Sequence, residues 1–161
     1  MKRHVMMLSI VLAMCGVSMP VCAGVAQGSL VMMYRGGTQP IEMVQKGDFL
    51  KSGNGTSIMV QEKFVSPGDE ETIVFISTQL GTMLMVTLDQ PVITPSGIIT
   101  AQALRQGDTI LTTTGSDTIA FITYGQSELE IYDLQLQCTN QSQANSCSFS
   151  ANGILVGGFE F

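Results

Sequence analysis

The most constraining feature of this chain is a short pattern that occurs twice. Residues 41–50 and 101–111 each run from an apolar turn into Gly-Asp and then directly into an apolar strand. Glycine tolerates the positive φ that such a corner needs, and aspartate can bond nearby backbone N–H groups. The repetition therefore predicts a duplicated β-unit arranged about a pseudo-twofold axis. The corner residues, which we expect to stabilise turns and not to bind metal, are Gly47, Asp48, Gly107 and Asp108.

Strand signals dominate the chain after residue 28. Runs such as 56–60, 72–76, 82–86 and 117–122 are short, rich in β-branched residues and bounded by Gly, Asn, Asp, Pro or Ser. Beyond the N-terminal segment, no stretch sustains a helical period for three turns. The spacing predicts a compact all-β domain of many short strands.

The N-terminal segment has the layout of a secretory signal peptide. Lys2 and Arg3 precede an apolar run over 5–19, and Pro20 and the small-residue segment 21–23 follow it. The run is shorter than the roughly 20 apolar residues that span a bilayer. We expect cleavage after Ala23, secretion or periplasmic export, and no stable membrane span in the mature protein. The alternative is an uncleaved N-terminal anchor.

Removal of residues 1–23 changes the chemical inventory. It takes away His4, which is the single histidine, together with Cys15 and Cys22. A histidine-based general base, a catalytic triad and a His-containing zinc site are then excluded, and we predict no metal and no cofactor. Two of the seven basic residues also leave, so five bases face thirteen acids, a formal charge of −8. Such an acidic chain lacks the basic surface that nucleic acids require.

The two remaining cysteines flank a short polar loop. Cys138 and Cys147 stand between strand-like segments on either side of residues 139–146. In an oxidising compartment this placement predicts a disulfide, with Cα atoms roughly 4.4 to 6.8 Å apart. The alternative is a redox-active dithiol, although the Cys-x-x-Cys spacing of such sites is missing.

Five further segments occur in a recognisable order. They are 28–33, 37–42, 86–94, 131–136 and 151–156. In this order and spacing they resemble the Hint superfamily, the all-β fold of hedgehog autoprocessing domains, inteins and bacterial intein-like domains. The resemblance covers roughly 24–158 and implies one Hint-like β domain over residues 24–161.

The resemblance also implies a chemistry. Hint domains cleave or splice their own chain: a first residue, Cys or Ser, attacks the preceding carbonyl, and a second nucleophile resolves the resulting thioester or ester. A histidine protonates the departing amide nitrogen, by the logic of other covalent catalysis. In splicing members a closing His-Asn pair then releases the domain as the asparagine cyclises.

Several positions of this motif have changed in the present chain. Thr87 and Asp133 match family positions, but glutamine replaces the histidine at Gln90, and glutamine cannot transfer a proton near neutral pH. The simplest interpretation of Thr87 is a strand residue that bonds backbone. The positions that the resemblance assigns to the nucleophile and to the closing His-Asn pair are Gly24, Gly157 and Gly158.

Three hypotheses follow. The first is an exported Hint-like domain that has lost autoprocessing, is not expected to act as an enzyme, and serves a structural or binding role toward an unidentified protein or surface. The second is an active autoprocessing domain in which an earlier cleavage retains Cys22 as nucleophile. The third is an unrelated small secreted β-sandwich or barrel. Under the first, replacing Gly24→Cys and Gln90→His together is expected to recover some cleavage on a preserved scaffold.

Overall fold

The computed structural model describes residues 23–68, 71–138 and 147–158, and every structural statement here concerns those residues. The predicted leader, including Cys22, therefore lies outside the described residues except for Ala23. Two three-residue 3-10 turns, Ile41–Met43 and Ala101–Ala103, precede the two Gly-Asp corners. The strands are β1 (Val25–Ala26), β2 (Leu30–Met32), β3 (Thr38–Pro40), β4 (Phe49–Lys51), β5 (Ser57–Ser66), β6 (Glu71–Thr78), β7 (Met83–Thr87), β8 (Pro91–Thr94), β9 (Gly97–Thr100), β10 (Thr109–Thr112), β11 (Gly115–Ser127), β12 (Ile131–Leu136), β13 (Ser148–Ala151) and β14 (Ile154–Gly157).

All fourteen strands belong to one connected antiparallel system, which confirms the predicted all-β fold. The order of hydrogen-bonded strands is β3-β2-β13-β14-β10-β11-β6-β7-β1-β12-β5-β4. Off this path, β8 pairs with both β14 and β9. Six of the thirteen strand pairs join consecutive strands, and the other seven join strands distant in sequence. The sheet is therefore a set of hairpins connected by long-range pairing.

The element order repeats as the sequence predicted. Hairpin β2–β3 leads through a 3-10 turn into β4 and the long strand β5, and hairpin β8–β9 leads in the same way into β10 and the long strand β11. The glycines of the two corners are equivalent. Gly47 and Gly107 both have φ of 90°, and their N–H groups donate to Val60 O at 2.8 Å and Ile119 O at 2.9 Å.

The aspartates of the two corners are equivalent as well. Asp48 Oδ2 accepts a hydrogen bond from Gln45 N at 2.9 Å, and Asp108 Oδ2 accepts one from Arg105 N at 2.8 Å. Each carboxylate thus bonds the backbone three residues before it, as expected for a residue that stabilises a turn. The matched corners support the predicted duplication.

The two halves exchange their long strands. β5 of the first half pairs with β12 of the second, whereas β11 of the second half pairs with β6 of the first. β1 and β7 meet between them, with Val25 opposite Val86. The pseudo-twofold axis therefore passes between β1 and β7. Neither half can complete its sheet alone.

Apolar side chains from both halves form one main core. The two corners contribute equivalent pairs to it, Val44 with Leu104 and Leu50 with Ile110, all of them buried. Phe149 of β13 is the largest fully buried side chain. In the part of the chain that is described, no helix is long and apolar enough to cross a membrane.

Candidate functional site

The position that the Hint resemblance assigns to the nucleophile lies in the middle of the sheet. Gly24 is buried, and both its N–H and its carbonyl form hydrogen bonds with β7. Its N–H donates to Thr87 Oγ1 at 2.9 Å, and its carbonyl accepts from Thr87 N at 2.9 Å. Thr87 is thus a buried strand residue whose hydroxyl holds the backbone that follows the predicted cleavage point.

Gly24 has no room for a side chain. A Cβ atom built there would lie 2.3 Å from Ile131 Cγ2 and 3.0 Å from Tyr132 O. Ile131 is itself buried on β12, so its branched side chain has little freedom to move away. The space that a nucleophilic side chain would need is therefore filled by the core.

Gln90, which replaces the family's histidine, is almost completely buried, with 2% of its surface exposed. Its Nε2 donates to Gly157 O at 2.8 Å and to Pro91 O at 3.1 Å. These bonds join the start of β8 to the end of β14. An amide in this place holds two backbone carbonyls together, and it has no proton to transfer near neutral pH.

The end of β14 is closed in the same manner as the start of β1. A Cβ at Gly157 would lie 3.0 Å from Pro91 Cβ. One at Gly158 would lie 2.5 Å from Leu136 Cγ and 3.1 Å from Leu134 O. An asparagine at residue 158 would therefore overlap Leu136, whereas a side chain at residue 157 would need Pro91 to give way by a few tenths of an ångström.

Asp133 lies opposite Gly24 on the neighbouring strand. In the β1–β12 ladder Val25 pairs with Tyr132 and Ala26 with Ile131, so the register places Gly24 opposite Asp133. The aspartate is 8% exposed, and its carboxylate oxygens keep contact with solvent and accept no hydrogen bond from a described residue. Burial raises its pKa to about 6. Because the folded pKa lies above the ordinary value, the folding stability linked to this group is complete below about pH 4 and is lost as the pH rises through about 6.

The structure thus brings the family positions together at one place. Thr87 bonds Gly24, Asp133 lies opposite Gly24, and Gln90 bonds Gly157. The corner residues Gly47, Asp48, Gly107 and Asp108 make their bonds within their own turns and take no part in this cluster. Within the described ranges, no three His, Cys, Asp or Glu side chains are close enough to hold a metal ion.

Sequence reasoning missed the residues that close the site. Ile131 fills the place of the nucleophile's side chain and Leu136 the place of the closing asparagine. Both lie on β12 and have the apolar character of any core strand residue. No signal in the sequence marks them, because their contacts depend on how β12 packs beside residues 24 and 158.

The predicted cysteine pair is present. Cys138 and Cys147 form a disulfide with Cα atoms 5.4 Å apart, inside the predicted range. The bond connects the end of β12 to the start of β13. Residues 139–146 between the cysteines lie outside the described ranges.

Comparisons with solved structures identify proteins of similar fold. No family model matches the chain, and no curated protein sequence matches it. Among solved structures, the gp41-1 intein matches with a TM-score of 0.71 at 18% identity, over 85% of this chain and 99% of that one. A bacterial intein-like domain from Clostridium thermocellum has a TM-score of 0.70 at 17% identity, over 84% and 98%. A DnaB intein from Synechocystis sp. PCC 6803 has a TM-score of 0.71 at 18% identity, over 86% and 100%.

These matches span nearly the whole of each solved domain, and they agree with the duplicated, strand-exchanged architecture described above. The chain has the Hint fold, as its sequence predicted. The alternative of an unrelated β-sandwich or barrel is wrong, because the fold is that of inteins and intein-like domains. Sequence identity of 17–18% supports a shared fold only, so the activity has to be inferred from the residues of the site.

Proposed function

We propose that this protein is an exported Hint-fold module that has lost autoprocessing and serves as a structural or binding domain. One observation carries the proposal: the places of the nucleophile and of the closing residues are glycines packed against neighbouring atoms. Gly24 abuts Ile131, and Gly158 abuts Leu136. Loss of the chemistry is therefore built into the packing and not only into the residue types.

Each step of the family reaction lacks its group. At Gly24 there is no side chain to attack the preceding carbonyl. At Gln90 the amide is engaged with Gly157 O, and it cannot protonate a leaving nitrogen. At Gly158 there is no asparagine to cyclise. Asp133 by itself supplies one carboxylate without a nucleophile to activate.

The predicted leader and the charge support the rest of the proposal. Residues 1–23 have the pattern of an export signal, and the disulfide agrees with an oxidising compartment. A formal charge of −8 on residues 24–161 disfavours nucleic acid as a partner. We therefore propose a mature N-terminus at Gly24 and a role toward a protein or surface outside the cytoplasm.

Two reporter fusions test the proposal. In the first, a reporter and flexible linker end at Ala23, directly before Gly24. In the second, the reporter ends at Val21, so that Cys22 and Ala23 are kept. We expect both fusions to stay intact with and without added thiol, as judged by intact mass.

The pattern of any release identifies the error. Thiol-dependent release from the first fusion would overturn the inactive assignment. Release from the second alone, abolished by Cys22→Ala, would establish the alternative in which Cys22 is the nucleophile. Detection of Cys22 at the N-terminus of the exported protein would point the same way.

The structure adds a requirement to any attempt at restoring the reaction. The pair Gly24→Cys and Gln90→His alone places Cβ of residue 24 against Ile131 Cγ2. Adding Ile131→Ala removes that atom and opens the place of the nucleophile. We therefore expect the triple variant, and not the double variant, to recover thiol-dependent release.

A further inference from the structure

Asp133 is an anomaly among the carboxylates of this protein. Buried carboxylates are normally paired or bonded, because removing a charge from water is costly. Asp117, which is equally buried, follows this rule: its oxygens accept from Thr118 N at 2.7 Å and Leu80 N at 3.3 Å. A hydrogen bond from Thr78 contributes most to holding the Asp117 pKa below its usual range. Asp133 has no comparable partner among the described residues, and its carboxylate oxygens are left to a narrow contact with solvent.

The group opposite Asp133 is the backbone of Gly24. Residues 25 and 132 form one rung of the β1–β12 ladder, and residues 24 and 133 form the next. The N–H and carbonyl of Gly24 point toward β7, where they bond Thr87. The rung shared with Asp133 is therefore a non-hydrogen-bonded one, in which Cα atoms lie about 4.5 Å apart and side chains approach closely.

Side-chain direction agrees with this placement. Opposite residues in an antiparallel ladder project to the same face, as do residues two apart on one strand. A Cβ on Gly24 would meet Ile131, so Gly24 faces the side of β12 that carries Ile131 and Asp133. Asp133 and Ile131 thus project to the face of the ladder on which a side chain of residue 24 would lie.

The cations on neighbouring elements are engaged elsewhere. β5 places Phe64 opposite Asp133 and Lys63 opposite Leu134. Lys63 Nζ donates to Glu42 O at 2.9 Å and lies 5.5 Å from the centre of the Tyr132 ring. No described lysine or arginine side chain pairs with Asp133.

We propose that Asp133 is the binding site for the α-ammonium group of Gly24, which forms when the chain is cleaved after Ala23. Hydrolysis by an endopeptidase consumes one water: the Ala23 carboxylate leaves with the leader, and Gly24 N becomes an ammonium. One of its N–H groups continues to donate to Thr87 Oγ1, and the other two are available to the carboxylate across the ladder. A largely buried carboxylate without a protein partner in the precursor becomes an ion pair in the mature chain.

This pairing accounts for two features together. It explains why a largely buried aspartate is kept without a protein partner, and why Gly24, whose nitrogen would otherwise be a buried lone charge, is tolerated as a chain start. It rests on the predicted cleavage after Ala23 and is independent of the loss of autoprocessing. Processing would stabilise the folded domain through a contact that the precursor cannot make.

The test uses one polypeptide in two states. Residues 24–161 are fused behind a soluble carrier that a sequence-specific protease removes directly before Gly24. In the uncleaved fusion Gly24 N is an amide, and after cleavage it is an ammonium. Chemical denaturation near pH 7.5 measures the unfolding equilibrium of both states, each with Asp133, with Asp133→Asn and with the exposed control Glu128→Gln.

We expect Asp133→Asn to act in opposite directions in the two states. In the uncleaved fusion it removes a largely buried charge that has no protein partner, and it favours folding by about tenfold in the equilibrium constant. In the cleaved chain it leaves the ammonium unpaired and disfavours folding by about tenfold or more. Glu128→Gln should change both states alike. An Asp133→Asn effect of the same sign in both states would overturn the inference.

A second measurement needs no variant to fold. The pKa of the Gly24 α-amino group in the cleaved chain, followed by NMR, should lie above its ordinary value of about 7.7 to 8.0, because the carboxylate favours the charged form. An ordinary or lowered value would overturn the pairing. Release of the carrier without protease would contradict the proposed loss of autoprocessing instead. Different observations therefore overturn the two proposals.

Discussion

At the scale of single residues, this protein uses glycine in two unlike ways. Gly47 and Gly107 are needed for their backbone conformation, with φ of 90° and open space around them. Gly24 and Gly158 have ordinary conformations and are needed because neighbouring atoms occupy the place of a side chain. The second use is the one that bears on function, because it closes the positions from which a Hint domain would act.

Gly158→Ala tests this close packing. The added Cβ meets Leu136 and the Leu134 carbonyl, so we expect the free energy of unfolding to fall by about 1–3 kcal/mol. Gly125→Ala is the matched control, since nothing lies within 4 Å of its added Cβ and its φ is not positive. That control should stay within about 0.5 kcal/mol of the parent. Equal losses in urea denaturation of the two variants would contradict the packing argument.

At the scale of elements, the corners explain how one sequence pattern produces two equivalent turns. In each corner a 3-10 turn delivers the chain to a Gly-Asp pair, and the aspartate bonds the backbone three residues earlier. The glycine N–H reaches the long strand that follows, β5 in one half and β11 in the other. The corner thereby sets the register of the next hairpin, which fixes the faces that its residues present.

Asp48→Ala and Asp108→Ala should therefore have equal effects. Each removes one bond from a carboxylate to a backbone N–H, and we expect each to lower the free energy of unfolding by about 1 kcal/mol. The two corners share no hydrogen-bond partner, so the double variant should show the sum of the single effects. The exposed Glu128→Ala serves as control. A large effect from one corner and none from the other would argue against their structural equivalence.

At the scale of the whole molecule, strand exchange makes the two halves interdependent. β5 finds its long partner β12 in the second half, and β11 finds its partner β6 in the first. These pairings join residues far apart in the sequence, and such contacts form only when the loops between them close. The site between residues 24, 133 and 158 is assembled by the same exchange, since β12 lies in the opposite half from β1.

A chain divided after Leu80, in the exposed turn between β6 and β7, tests this interdependence. We expect fragments 24–80 and 81–161 each to show the narrow amide NMR spectrum of an unfolded chain, and their mixture to show the dispersed spectrum of the native fold. Ile76→Asp, which places a charge in the core at a fully buried position, should prevent the mixture from folding. Independent folding of either fragment would contradict the exchange.

The sequence by itself determined the local features of this protein and the family that it resembles. The corners at Gly47-Asp48 and Gly107-Asp108, the short strands and the pairing of Cys138 with Cys147 were all predictable, because each depends on turn chemistry, β-propensity or a short loop. The candidate site residues Thr87, Gln90 and Asp133 were also named, through motif order. Only the tertiary structure decided whether that site is open. Ile131 and Leu136 look like ordinary core residues, and they close it because β12 is brought beside Gly24 and Gly158 from the other half of the chain. Packing of this kind depends on atoms that are distant in sequence, so no local pattern records it.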